Sequence, residues 1–141
     1  MAYWLLKTEP ETFSWDDQVK RGAKGEPWTG VRNHTARQNL KDMKKGDRAF
    51  FYHSNEGLEI VGIVEIVRTY YPDPSDESGR FGMVDVAPVM PVKTPVTLKQ
   101  IKADPLLQSM ALVRQSRLSV CPVSDEEWGR VCDLAGVGVP A

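Results

Sequence analysis

A chain of 141 residues, 41% hydrophobic and 26% charged, has the size and make-up of one globular domain rather than of a disordered segment. No run approaches the ~18 apolar residues of a membrane span, and the start MAYWLLKTEPE lacks a basic region followed by a long apolar one, so a cytoplasmic protein with no membrane partner is expected. A net charge of −1 excludes a molecule that grips phosphate over its whole surface; a nucleic-acid role has to rest on local charge, which Arg32, Arg37, Lys41, Lys44, Lys45 and Arg48 supply against Asp42 and Asp47.

Tyr3 to Thr8 is aromatic and apolar and stops at Glu9-Pro10, which predicts a first strand. Ser14-Trp15-Asp16-Asp17 has the form of a capping box and Gly22 of a stop, so a short helix is expected from Trp15 to Arg21. Gly22 to Gly30 then reads as a loop, with Trp28 short of local structure to rest on. Asn33 can cap a helix running to Met43, with Ala36, Leu40 and Met43 on one face and Arg37, Lys41 and Lys44 on another.

Arg48 to His53 and Leu58 to Tyr71 are rich in Phe, Tyr, Ile and Val and flank the turn Ser54-Asn55-Glu56-Gly57, which predicts an antiparallel hairpin. Pro72 to Gly79 has the composition of a solvated loop; Phe81 to Val96 resumes alternation, with Pro88, Pro91 and Pro95 confining it to an edge or bulged strand. Leu98 to Ala103 reads as a short helix, Leu106 to Arg117 as helix or loop, and Leu118 to Val123 as a last strand. Ser124-Asp125-Glu126-Glu127 is a second capping box, opening a helix through Leu134 that ends at Gly136. Short helices interrupting a β-rich sequence predict an α+β fold, with a curved or barrel-like antiparallel sheet flanked by helices.

Nucleophile elbow, phosphate loop, dinucleotide and zinc-protease motifs are all absent from the sequence. Cys121 and Cys132 have no neighbours at metal-ligand spacing, so no metal site or disulfide framework is predicted and both read as buried thiols. What remains is polar residues at element ends: Lys7-Thr8-Glu9, Arg32-Asn33-His34, Tyr52-His53-Ser54 and Arg114-Gln115-Ser116-Arg117. Held by rigid elements yet reachable, they can converge on a base, with amides reading its edge, Arg bridging phosphate and Trp28 stacking. Each also has a structural reading: Asn33 as a helix cap, Trp28 as a loop anchor, His53 as a satisfied strand histidine, and Arg37, Lys41 and Lys44 as a solvated helix face.

Tyr3 to Pro10, the run GVRNHTARQNL from Gly30, Phe51-Tyr52-His53-Ser54 and the run LVRQSRLSV from Leu112 together resemble the EVE family of the PUA-like superfamily. The resemblance spans Tyr3 to about Trp128 within what reads as a single domain over residues 1–141. It implies a small antiparallel β-barrel flanked by short helices, akin to YTH and ASCH domains, and a monomeric, non-catalytic reader of a modified base in DNA or RNA with no cofactor. By motif position it places Thr8, Trp28, Asn33, His53, Ser54, Arg114, Gln115 and Ser116 around a pocket; the element-end reading adds Arg32, and the helix spacing makes Arg37, Lys41 and Lys44 the face for the nucleic-acid backbone. Two positions depart from the family pattern: Thr8, where Ser is frequent, and His34, where Tyr is common. Two other functions fit the sequence. One is an ASCH-like enzyme using Lys7, Thr8 or Glu9 on a nucleoside-like substrate, which a strongly shifted Lys7 pKa in a closed pocket would favour; the other is an interaction module whose pocket is filled by its own side chains.

Overall fold

In the computed structural model, which describes residues 1–138, Tyr3–Thr8 forms strand β1. Its Trp4, Leu5 and Leu6 are all buried, the pattern of a strand covered on both faces. Strand β3 (Arg48–His53) runs parallel to it, setting Thr8 beside His53, and β6 (Val120–Val123) runs antiparallel on its other side. β3, β4 (Glu59–Pro72) and β5 (Gly82–Thr97) make the antiparallel meander predicted from their alternation. A two-residue strand, β2 (Glu26–Pro27), lies within the loop expected from Gly22 to Gly30 and pairs with Asp85 and Val86. Gly25 permits this approach: a Cβ there would lie 3.0 Å from the Val86 carbonyl oxygen.

The six-stranded order is β2-β5-β4-β3-β1-β6, an open sheet, so the expected closed barrel is corrected while the α+β class holds. The edges explain this: β2 is two residues ending in Pro27, and β6 is four residues with Pro122, and a proline has no N–H to offer a closing strand. Pro88, Pro91 and Pro95 fall past the pairing with β2, on the stretch of β5 whose ladder is to β4, where the register slips.

Helix α1 (Trp15–Arg21) starts at the Ser14 capping box, and α2 (His34–Asp42) is capped by Asn33, whose side chain accepts from the Ala36 amide at 2.9 Å. α2 buries Ala36 and Leu40, and Asn39 donates to the Val120 carbonyl at 2.7 Å, tying the helix to β6. Helix α3 (Leu98–Ala103) follows β5, and the ambiguous stretch after it resolves into a 3-10 turn at Pro105–Leu107 and a short helix α4 (Ala111–Arg114). Helix α5 (Asp125–Ala135) buries Trp128, which stacks on Tyr3 and Phe50 at centroid distances of 4.3 and 3.9 Å. Cys121 and Cys132 are buried free thiols, each pushed up to about 11 by burial. The loop expected to be solvated hides Asp73, which is 2% exposed and accepts from the distant Gly30 amide at 2.9 Å and from the Ser75 amide at 2.8 Å. Among the described residues no helix is long and apolar enough to cross a membrane.

Candidate nucleic-acid interface

The parallel pairing of β1 and β3 brings their C-terminal ends to one edge, where the Ser54 amide donates to the Thr8 carbonyl at 2.8 Å. From there the chain turns through Phe13, held by the Thr8 hydroxyl, which donates to the Phe13 carbonyl at 3.0 Å. Phe13 meets Trp28 edge-on at 6.1 Å, and Trp28 meets Phe51 of β3 the same way at 5.6 Å. The Trp28 amide also donates to the Val84 carbonyl at 2.8 Å, so backbone and ring are both fixed. The indole is 8% exposed, and beside it opens a cavity of about 270 Å³ bounded by Lys7, Thr8, Phe13, Arg21, Glu26 and Trp28. The space beside Trp28 is therefore not filled by the protein's own side chains, as a plain interaction module would have required.

The polar groups of this cavity are of both signs. The half-buried Lys7 ammonium donates to the Ser116 carbonyl at 2.9 Å, and burial lowers its pKa, partly offset by Cys121. Arg21 and Glu26 form an ion pair at 3.2 Å, and the Arg21 guanidinium lies 5.8 Å from the Phe13 ring centroid. Arg21, Glu26 and Phe13 were missed as site residues by the sequence reading. Gly22 and Gly25 turn the chain back between the two charges, and glycine spacing alone does not reveal an ion pair across such a turn.

A second hollow, of about 340 Å³, is lined by Asn33, Thr35, Arg114, Gln115, Ser116 and Arg117. The Lys7–Ser116 hydrogen bond joins the two hollows. Trp28 and Asn33 thus line different concavities, and Ser54 lines neither, so the three do not share a single one. The reason at Asn33 is its commitment to capping α2. His53 stands behind the aromatic wall, edge-on to Phe51 at 5.7 Å, and its Nε2 accepts from the Trp15 amide at 3.1 Å. Burial lowers its pKa, with Glu59 and Asp16 opposing.

Arg32 turns away from both hollows, donating to Asp73 at 3.3 Å and to the Ser75 hydroxyl at 3.0 Å. Burial by itself would raise the Asp73 carboxyl, but donors from Ser75, Gly30 and Arg32 outweigh it and hold the acid down at about 2. Of the expected basic stripe, Arg37 is half-buried, donating to the Arg80 carbonyl at 2.8 Å with its guanidinium 5.9 Å from the Phe81 ring centroid. Lys41 is exposed near the Tyr70 ring, and Lys44 is exposed beyond the helix end at Met43. A continuous three-charge stripe is therefore reduced to Lys41 and Lys44.

Residues 2–134 match the family model of the EVE domain. This chain belongs to the EVE domain family. Thymocyte nuclear protein 1 of Gallus gallus is 37% identical to this EVE domain, over 94% of this chain and 68% of the relative. A crystal structure of an Agrobacterium tumefaciens protein is 48% identical with a TM-score of 0.97, covering 99% of this chain and 97% of its own. Human THYN1 protein, solved in complex with 5-methylcytosine containing DNA, is 34% identical with a TM-score of 0.89, covering 96% of this chain and 98% of its own. A YTH domain from Zygosaccharomyces rouxii shares the fold of this EVE domain at 15% identity, with a TM-score of 0.58 over 99% of this chain and 89% of its own.

Proposed function

We propose that this EVE domain binds nucleic acid and takes a modified base, a modified cytosine in DNA foremost and a modified base in RNA as the other form, into the cavity beside Trp28. The observation that carries this is the cavity itself: an indole locked between Phe13 and Phe51, next to a space of about 270 Å³ with hydrogen-bonding groups on its walls. That volume sits just below the ~300–1,000 Å³ of drug-sized ligand sites, the scale of a base rather than a whole nucleotide. The similarity to human THYN1, solved with 5-methylcytosine containing DNA, points the same way. The second hollow, with Arg114 and Arg117 beside Gln115 and Ser116, suits the phosphates that flank the base.

The test is a titration of wild type and Trp28→Ala with oligonucleotide pairs that differ in one modified cytosine. Stacking on an aromatic ring is worth roughly 1–3 kcal/mol, so the variant should bind the modified strand about tenfold to a hundredfold more weakly and lose its preference, while keeping residual phosphate-driven affinity. Equal discrimination by both folded proteins would leave Trp28 as a structural anchor. A second reading, in which Lys7 acts chemically on a nucleoside-like substrate, draws on the lowered pKa of that amine. Product release from a nucleoside that stops in Lys7→Met would favour it.

A further inference from the structure

The cavity beside Trp28 contains a carboxylate, a group that would repel the phosphates of a strand rather than bind them. Glu26 lines it from β2 with its side chain 28% exposed, and its Oε1 is engaged by Arg21 at 3.2 Å. Arg21 is in turn braced against the Phe13 ring, the same ring that holds Trp28. Glu26 is therefore fixed by the element that fixes the stacking wall, and its remaining lone pairs can accept but never donate. Lys7 lines the same cavity with the opposite capacity: an ammonium has three donors and no acceptor, and the Ser116 carbonyl takes one of the three.

An acceptor and a donor in one base-sized cavity fit a base edge that carries an exocyclic amine next to a ring nitrogen or carbonyl. We infer that Glu26 selects for that amine, with Lys7 donating to the neighbouring acceptor, so that the pocket admits amino-pyrimidines and rejects keto-pyrimidines of identical shape. Thymine is the informative contrast, because it has the same shape and methyl group as 5-methylcytosine but an oxygen where the amine stands and an N–H where the neighbouring ring nitrogen accepts. That oxygen would face a carboxylate with no proton between them, while the amine of cytosine is the partner that Glu characteristically accepts from. The inference rests on the base-pocket reading above and adds the residue that sets its chemical selectivity.

Single-stranded oligonucleotides alike but for one central 5-methylcytosine or thymine, titrated into the whole chain by fluorescence anisotropy, separate the two ideas. Wild type should favour 5-methylcytosine by at least about tenfold. Glu26→Gln, whose amide can accept or donate, should bring the two affinities to within about threefold, mainly by strengthening the binding of thymine. A merely structural role for the Arg21–Glu26 pair would move both affinities together and leave their ratio alone, which would overturn the inference. If Trp28→Ala weakens binding but Glu26→Gln keeps the wild-type ratio, the base pocket stands and the selectivity assignment falls. If wild type treats the two strands alike and Trp28→Ala changes nothing, both fall.

Discussion

At Gly62, on β4, the chain gives up a side chain so that the Trp15 ring can reach the sheet: an added Cβ would lie 2.4 Å from Cζ3 and 2.5 Å from Cη2 of that ring. Trp15 also meets Phe51 edge-on at 5.3 Å, so displacing it disturbs the ring against which Trp28 rests. Gly62→Ala is expected to cost about 2 kcal/mol through overpacking, lowering the melting temperature by roughly 5–10 °C. Adding Trp15→Leu should recover part of the loss, because it removes the atoms the new methyl would strike. A Gly62→Ala protein that melts with wild type would show that Trp15 moves aside at no cost. None of this is legible in the sequence, where Gly62 reads as one more residue of an apolar strand and Trp15 as the start of a helix.

Besides the ring contact of Trp15 with Phe51, β3 holds α1 through a hydrogen bond at His53 Nε2, which accepts from the Trp15 amide and can do so while the imidazole is neutral. Burial depresses the pKa of this histidine below its ordinary value near 6.5. The unfolded chain then takes up the proton first, so the stabilisation is complete above about pH 6.5 and is lost as pH falls below that value through the folded pKa. Urea midpoints should accordingly drop between pH 7.5 and pH 5.5, and His53→Gln should flatten that drop; an equal drop in the variant would place the pH dependence elsewhere. The elements themselves were legible wherever their signal is local. The Ser14 and Ser124 capping boxes mark α1 and α5, and the turn from Ser54 marks the hairpin, because a cap or a turn is satisfied within four or five residues. β2 was not, since two residues beside a glycine turn have no periodicity and exist as a strand through β5. Asp73 and Glu26 failed for the same reason: their partners Arg32 and Arg21 are set by the path of the chain, and loop composition carries no trace of it.

Across the whole molecule a net charge of −1 leaves nucleic-acid affinity to wherever positive groups concentrate, and the second hollow holds Arg114 and Arg117 together. Replacing both with Gln should weaken modified and unmodified strands alike and lower the slope of log affinity against log salt by about 1–2, at roughly 0.7 per phosphate contact for single strands. An unchanged slope would move the backbone contacts to another face. The motifs at the ends of β1, β3 and α4 lie near one another in space because β1 is interior to the sheet, and that interior position also governs synthesis. Of the six strands β1 leaves the ribosome before the others, and its neighbours are residues 48–53 and residues 120–123. The β3-β4-β5 meander joins strands that are adjacent in sequence and can assemble as it emerges, whereas Trp4, Leu5 and Leu6 cannot be fully covered until β6 has been made. At ~5–20 residues per second that delay is roughly 5–25 s. For that interval one of the most apolar segments of the chain is held out as a nascent binding site for chaperones, and a truncated translation product lacking β6 would never withdraw it.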